Sequence, residues 1–531
     1  MRELRLAPPA LAVWAGALMT LLWSLPVAVL AVGVAALCLL AFQQVGQAVL
    51  SAGLGCLSSA IAALRVAAAR AFEPGQTMVG QVAGAPVPVD SGGFLVRINV
   101  TGHPGAIAVF TPELPPGVVT GAGVAVSGTV GQSQTPGTTQ ITWSGPVEVL
   151  AAPQGFAALA EHVRSTFAAS VEAHVGPGSR GLIPGMVLGD TSLQSASEKQ
   201  AYVDTGLSHL SAVSGSNIAI VTTAAVLAAS AARLGLRAQI VAAGVVLMIY
   251  ATLVGPEPSV LRASVTGLVT LVAVLSSSVA EPLHALCLSV VALVLVDTNL
   301  AVNFGFALSV AATAGIVALS PLLYRALVVL RWPDVVTRAL AVALAADAVT
   351  MPLVALMVGR VSLVAVAANV LVAPLAAPIT VLGLIAALLS LSPGSFEIPV
   401  LLVVEPLAWW IHAVASAGAR IDGAVLTASP LMVLVGYGWV VAGLAAKRPR
   451  LTLLATVCAI ALMARPDPPL PVIDTAGKKL HVVDTADNIE PVPTGTEVVV
   501  VLEEGRMKKR PVVTPAGVPV IYPNRGAPES R

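Results

Sequence analysis

The chain is interrupted again and again by long apolar runs, and these constrain its fold more than any other feature. Of its 531 residues, 56% are hydrophobic and only 10% are charged, whereas a soluble protein carries about a quarter charged residues. A helix that spans the hydrocarbon core of a bilayer needs roughly 20 mostly apolar residues. The sequence therefore predicts a multipass protein of the cell (plasma) membrane, with a mainly α fold.

About thirteen spans are predicted, three at the N-terminus and ten in the second half of the chain. They lie near 8–24, 26–42, 47–69, 207–231, 238–254, 259–279, 282–296, 301–322, 336–357, 361–392, 398–419, 429–446 and 451–464. Arg2 and Arg5 place the N-terminus in the cytoplasm by the positive-inside rule. Alternation from there brings the later basic clusters, near 233, 325 and 447, to the same side, which supports the count.

The residues from 75 to 152 differ from the apolar runs. Short β-rich stretches such as FLVRINVTG alternate there with glycine and proline. Such spacing predicts a small closed sheet, which we interpret as an extracytoplasmic OB-like β-barrel. Binding of single strands needs a cationic groove and stacking platforms, and Arg97 is the one Lys or Arg in this stretch. We therefore interpret the barrel as a structural or partner-docking module.

The segment between the barrel and the later spans predicts an amphipathic helix. Apolar residues from Phe156 to Val171 recur at helical spacing, while Glu161 and Arg164 take the other face. Such a helix lies either on the membrane surface or against the barrel, and the sequence does not choose. Five regions result: N-terminal transmembrane helices at 1–72, the OB-like domain at 75–152, amphipathic helix and linker at 153–204, a transmembrane core at 205–465, and an extracytoplasmic, polar, β-rich tail at 466–531.

One polar stretch, GLSHLSAVSGSN at 206–217, interrupts this apolar context. Wrapped on a helix, its polar side chains surround the axis instead of forming a stripe. Such a segment cannot face lipid, so it is either enclosed by other helices or broken near Gly215 beside a watery cavity. Polar packing between helices is the alternative. The predicted channel-lining positions here are Ser208, His209, Ser211, Ser214, Gly215, Ser216 and Asn217.

Several motifs in order resemble those of the ComEC-type competence membrane proteins. The pieces are LGD at 188–190, TGLSHLSAVSGSNIAIV at 205–221, PSVLRASV at 258–265, NFGFALSVAAT at 303–313, AADAVTMPL at 345–353 and GRVSLVAVAANVLVAPLAAP at 359–378. The resemblance spans roughly 185 to 450. It implies a channel for single-stranded DNA and adds Arg262, Ser309, Asp347 and Asn369 to the expected functional residues.

The chain also departs from the family pattern. Ala307 and Asp347 stand where many relatives have glutamine, and Asn217 where a histidine is frequent. The common cysteine pair of the outer loop has no counterpart, since residues 75–200 contain no cysteine. Many relatives end in a metallo-β-lactamase-like domain rich in histidine, but the tail from 466 has only His481. We therefore expect that domain to be lost or replaced.

Ionisable groups inside spans are costly and usually pair or face an interior. Arg262, Asp347 and Glu405 lie within predicted spans, so we expect a buried pair or network among them, structural or functional. A pathway for a polyanion should be cationic, and two carboxylates with one arginine do not give these spans a positive charge. Asn369, Pro374 and Pro378 interrupt a long apolar run. Such a pattern indicates either a discontinuous helix beside a cavity or an ordinary span with proline kinks.

No catalytic residue or metal site is predicted, and neither an enzyme nor a cofactor is expected. Cys38, Cys56, Cys287 and Cys458 lie in apolar segments without the spacing of a metal site. Three functions remain open: a channel for DNA uptake in natural transformation, a transporter of another solute or lipid, and a membrane scaffold whose barrel docks partners. The expected partners are single-stranded DNA, a DNA receptor, a cytoplasmic motor protein, the lipid bilayer and a second copy of the chain.

Overall fold

The computed structural model describes the chain from residue 5 to residue 521 with several gaps. The residues outside the description are 1–4, 90–92, 212, 276–280, 422, 464–478, 484–488, 490–491, 494, 503–513, 515–517 and 522–531. The boundary expected at 465/466 and most of the tail therefore lie outside the described residues.

The fold is mainly helical, and every predicted span contains an apolar helix in the part that is described. These helices are α1 (Ala7–Leu22), α2 (Leu25–Ala41), α3 (Val45–Arg70), α8 (Gly215–Ala231), α9 (Leu236–Val254), α10 (Pro258–Leu275), α11 (Pro282–Val296), α12 (Phe304–Leu327), α13 (Asp334–Val358), α14 (Ala365–Leu389), α15 (Ile398–Ala419), α16 (Pro430–Ala445) and α17 (Pro449–Met463). Six helical stretches are long and apolar enough to cross a membrane: Val45–Arg70, Leu236–Val254, Phe304–Leu330, Asp334–Val358, Ala365–Leu389 and Ile398–Ala419. The chain is a multipass membrane protein.

Four further helices occupy the segment before α8. They are α4 (Phe156–His174), α5 (Pro177–Arg180), α6 (Leu182–Leu188) and α7 (Ala196–Asp204). The buried stripe of α4, with Val163, Phe167 and Val171, packs into one hydrophobic cluster with α6, α14 and α15. The apolar stripe of the amphipathic helix is thus covered by apolar helices of the bundle. Its first turn also lies against the β-rich region, since a methyl group at Gly121 would lie 2.7 Å from the Cβ of Ala157.

The β-rich region forms one mixed sheet of eight strands. The strands are β1 (Thr77–Val82), β2 (Val87–Pro88), β3 (Phe94–Val100), β4 (Ile107–Thr111), β5 (Gly123–Ser127), β6 (Thr129–Gln132), β7 (Ile141–Ser144) and β8 (Val147–Ala151). Their order is β6-β7-β4-β3-β1-β5-β8, with β2 beside β3. Only β4 and β7 pair in parallel within this sheet. Alternating valines and Trp143 fill its core.

Strands β5 to β8 form one long, bent hairpin that pairs with β1 on one side of the sheet and with β4 on the other. β5 continues into β6 across Gly128, and β7 continues into β8 across Gly145 and Pro146. β5 pairs with β1 and with β8, while β7 pairs with β4 and with β6. The same two-stranded ribbon therefore lies against β1 through one half and against β4 through the other.

The sheet is attached to the helical bundle through a short 3-10 helix, Thr298–Val302, between α11 and α12. The side-chain oxygen of Asn299 accepts hydrogen bonds from the backbone N–H of Thr138, at 2.8 Å, and from the Thr138 hydroxyl, at 2.9 Å. Trp14 of α1 donates to the Ala301 carbonyl at 2.9 Å. These bonds place the sheet and the α11–α12 connection on the same side of the bundle.

Two small sheets complete the described structure. β9 (Arg360–Ser362) and β10 (Val425–Thr427) pair antiparallel between the ends of α13 and α15. In the tail, β11 (Leu480–Val483), β12 (Val498–Val501) and β13 (Val520–Ile521) form a parallel sheet. The expected β character of the tail is thus present in its described residues.

Candidate functional site

The polar stretch at 206–217 is not one helix. α7 ends at Asp204, α8 begins at Gly215, and the described residues between them form turns and bends; Ala212 lies outside the described residues. The helical-wheel placement is therefore wrong for most of the stretch. Of the two arrangements expected from the sequence, the one with a break near Gly215 matches this backbone, and the segment runs through the bundle as non-helical chain.

A glycine turn begins the non-helical segment. Gly206 has a φ of +70°, in the left-handed region that glycine adopts without the steric cost of a Cβ. A methyl group at this position would also lie 2.6 Å from the Cβ of Ala365, at the start of α14. The close approach places the turn directly against α14.

Asn217 has a structural role that the sequence did not indicate. It is buried, and its amide nitrogen donates to the Met186 carbonyl at 2.7 Å. Tyr250 of α9 donates to the neighbouring Val187 carbonyl at 2.9 Å. The last carbonyls of a helix lack partners within it, and those of α6 are buried, so these two side chains satisfy them. Asn217 therefore does not line an opening, contrary to its predicted place.

The serines and the histidine of the stretch face accessible space to different degrees. Ser208, His209 and Ser216 are exposed, whereas Ser211 and Ser214 are half-buried. Most of their hydrogen bonds are local: Ser211 donates to the Ser208 carbonyl at 2.9 Å, and His209 Nδ1 donates to the Gly206 carbonyl at 3.2 Å. Because these bonds close within the segment, the outer surfaces of the polar groups remain available to water or a solute.

Arg262 lies beside the first turn of α8. Only 6% of the residue is exposed, and its Nε donates to the Ser309 hydroxyl of α12 at 2.8 Å. A methyl group at Gly215 would lie 2.5 Å from Nη2 of Arg262, so the guanidinium sits where a Cβ of α8 would project. The structure thus brings together Arg262, Ser309 and Gly215, three of the predicted positions.

The expected ion network is not found among the described residues. No salt bridge joins Arg262 to a carboxylate. Asp347 is buried on α13 beside the hydroxyl of Tyr437, with Oδ2 unpartnered, and Glu405 accepts from the Gly176 backbone N–H at 2.9 Å. The three side chains lie on α10, α13 and α15 and each has different neighbours, which is why sequence spacing could not pair them.

α14 is continuous, so of the two interpretations of its prolines, a discontinuous helix or an ordinary span that contains prolines, the second matches the backbone. Pro374 and Pro378 both lie inside the helix Ala365–Leu389. Helices within a bundle tolerate proline because neighbouring helices and small local adjustments of the backbone satisfy the freed groups. Asn369 is half-buried on α14, one turn after Ala365.

A polar seam between α7 and α15 was not foreseen. Glu198 of α7 lies 3.8 Å from His412 of α15, and it also closes a capping box with Ser195. Burial raises the pKa of the nearby Tyr202 hydroxyl, and the charge of Glu198 adds to that shift. Gln194 donates to the Ser211 carbonyl at 2.9 Å, which ties this region to the polar stretch. The one sequence signal for such contacts is that isolated polar residues occur within the apolar run of α15.

No metal centre is apparent: among the described residues, no group of three His, Cys, Asp or Glu side chains is placed to hold an ion. An open concavity of about 490 Å³ lies elsewhere, lined by residues of the N-terminal helices and by His284 of α11. It does not include any of the predicted functional residues, so the polar stretch and its surroundings remain the candidate site.

Comparison with known proteins adds one match. Residues 186–450 match the family model described as Competence protein, a range that begins within α6 and ends in the first turn of α17. It contains every predicted functional residue, from Ser208 to Asn369. No curated protein and no solved structure matches the chain.

Proposed function

The chain belongs to the competence protein family through residues 186–450, and on that premise we propose that it is a membrane channel component that passes single-stranded DNA into the cytoplasm during natural transformation. The observation that carries the proposal is that the family match coincides with the helices surrounding the non-helical polar stretch. Irregular backbone is tolerated at membrane depth only where protein buries it or where it lines a watery cavity.

The polar stretch supplies the proposed lining. Ser208, His209 and Ser216 present uncharged or weakly basic polar surface. Arg262 adds a cation that forms no salt bridge with any carboxylate in the described part of the chain. The carboxylates Asp347 and Glu405 have other neighbours, which removes the objection that acidic groups would repel a polyanion at Arg262. On this proposal the protein moves its substrate without a catalytic step.

We further propose that all thirteen apolar helices cross the membrane and that the eight-stranded sheet is an extracytoplasmic OB-like barrel. The bent hairpin that meets β1 and β4 supports closure of the sheet. The bonds of Asn299 to Thr138 support a single outer face that includes the α11–α12 connection. The barrel has few cations, so its proposed role is to dock a DNA receptor or another partner.

We expect an impermeant thiol reagent to label the barrel and the tail from outside intact cells. Gln134→Cys in the β6–β7 loop is exposed, and Val482→Cys in β11 is 53% exposed, so both should react in a variant lacking the four native cysteines. Lys447→Cys, between α16 and α17, should react only after the cells are opened. Protection of Gln134→Cys or Val482→Cys in intact cells would contradict the orientation.

Uptake of labelled DNA tests the proposed function directly. Deletion of the gene should abolish transfer of fluorescent or radiolabelled DNA into a nuclease-protected state, and the intact gene should restore it. DNA bound outside the cell should still be degraded by added nuclease in the deletion strain. Normal protected uptake without the gene would exclude the DNA channel and leave the transporter or scaffold functions.

Single cysteines should map the lining. Replacements at Ser208 and Ser216, which are exposed, are expected to react with a small hydrophilic reagent about tenfold or more faster than replacements at Ile218 and Val221, which are buried. The reason is that a thiolate forms only where water reaches the sulfur. Equal rates at all four positions would contradict a watery path and favour close polar packing.

Asp347 favours a second candidate, proton-coupled transport of another solute. It is a buried carboxylate with an unpartnered oxygen on α13, and carboxylates inside membrane helices often carry protons in transporters. Asp347→Asn should then abolish flux driven by a proton gradient while leaving expression unchanged. DNA uptake that persists in this variant, together with lost solute flux, would select the transporter over the DNA channel.

A further inference from the structure

The first turn of α8 and the guanidinium of Arg262 form an arrangement that has no counter-ion among the residues that the structure describes. The N-terminus of a helix carries roughly half a positive charge. Ser214, the N-cap residue, does not cap the first-turn N–H groups with its side chain. A cation placed at this end is repelled by the helix, so Arg262 is in an unfavourable position unless an anion contacts both the guanidinium and the helix end.

The guanidinium has unused hydrogen-bond donors. Nε of Arg262 is bonded to Ser309, but Nη1 and Nη2 donate to no described residue and reach no carboxylate. The residue is only 6% exposed, and a buried charge without a partner is strongly disfavoured. Nη2 is directed at Gly215, because that glycine leaves the space that a Cβ would fill.

Two hydroxyl groups complete the surroundings. The hydroxyls of Ser214 and Ser216 lie 2.6 Å apart, and Ser216 is exposed. Helix N-termini, serine hydroxyls and arginine together are the donors that proteins use to bind phosphate oxygens. Glu257, which precedes α10, is exposed and forms no ion pair with Arg262, so no carboxylate among the described residues is bonded to the guanidinium.

We propose that Ser214, Gly215, Ser216 and Arg262 form a subsite for a phosphate group, and that its occupant is a phosphodiester of the translocating strand. The choice of occupant rests on the proposed function; the phosphate chemistry does not. The subsite gives the path one fixed cationic contact, and the lining serines give neutral contacts on either side. A single charged contact holds a phosphate without trapping the whole polyanion.

The test uses the full chain in nanodiscs of zwitterionic lipid, with a fluorescent oligothymidylate as probe. Arg262→Gln should weaken binding by about tenfold or more, because charge-assisted hydrogen bonds are lost, and Arg262→Lys should retain part of the affinity. Arg233→Gln, an exposed charge after α8, is the matched control and should bind normally. Equal binding by Arg262→Gln and Arg233→Gln would overturn the subsite.

A second variant keeps the arginine and covers the case in which Arg262→Gln does not fold. Gly215→Ala should weaken binding because its methyl group displaces Nη2, which is the flexible end of a side chain and can move. Gly436→Ala, within α16 and with nothing within 4 Å of the added methyl group, should bind normally. Unchanged binding by Gly215→Ala would also overturn the subsite.

Further measurements separate the sources of the phosphate. A methylphosphonate oligonucleotide, which has a neutral backbone, should bind the intact chain poorly; binding equal to that of the phosphodiester would overturn the proposal. Oligonucleotide binding is also measured in nanodiscs of anionic lipid and with added inorganic phosphate, each compared with chloride at the same ionic strength. If the anionic lipid or the phosphate removes binding where chloride does not, the subsite belongs to a headgroup or a free anion, and its nucleic-acid occupant is overturned. Failure of the proposed function appears elsewhere, as normal DNA uptake in the deletion strain.

Discussion

Replacement of Arg262 by methionine is expected to abolish DNA uptake without destabilising the protein. Arg262 forms no salt bridge among the described residues, and a buried charge without such a partner contributes desolvation cost but little attraction. Exchange of buried ionic groups for apolar side chains of similar volume is often neutral or stabilising by about 1–4 kcal/mol. The lost bond to Ser309 is a single contact to a neutral hydroxyl. Thermal unfolding in detergent and uptake of labelled DNA measure the two effects separately.

Arg233→Met is the matched control for this change. Arg233 is exposed after the end of α8, so both uptake and stability should match the unmodified chain. A large fall in the unfolding temperature of Arg262→Met alone would mean that the arginine has a structural partner, as the sequence had suggested. Full uptake by Arg262→Met would mean that no cation is needed at this position.

The helical architecture could be predicted from the sequence because a long apolar run in lipid is stable only as a helix. A buried backbone must satisfy its own hydrogen bonds, and this local requirement is visible in single segments such as 398–419, which became α15. The same argument left open whether Pro374 and Pro378 break their helix, because tolerance of proline depends on the packing of the neighbouring helices. The family of the transmembrane core was also predictable, since several short motifs occur in order.

The interior of the site was less predictable, because it depends on contacts between distant segments. Asn217 was expected in an opening, but it bonds to the Met186 carbonyl, and no spacing rule links residues on α8 to the end of α6. Arg262 was expected to pair with Asp347 or Glu405, which lie on helices with other neighbours. α4 was placed outside the bundle because its period shows an apolar face but not what covers that face.

Gly206→Ala is expected to destabilise the chain by about 2–6 kcal/mol, since two separate costs add. A non-glycine residue held at the left-handed φ of +70° costs about 1–3 kcal/mol, and overpacking of a close contact costs about 1–3 kcal/mol more. The backbone cannot relieve the contact easily, because the added methyl group would lie 2.6 Å from the Cβ of Ala365 in α14. Unfolding by SDS titration in mixed micelles measures the loss.

The two costs can be separated with a second substitution in α14. Ala365→Gly removes the methyl group that Gly206→Ala would strike, so the double variant should recover the overpacking part and keep the backbone strain, giving a favourable coupling of about 1–3 kcal/mol. Gly244→Ala in α9 is the control, because its added methyl group would meet Leu271 at an ordinary 3.8 Å and alanine favours the helix. If Gly206→Ala and Ala365→Gly show no coupling, the turn does not lie against α14, and the path of the polar stretch through the bundle is wrong.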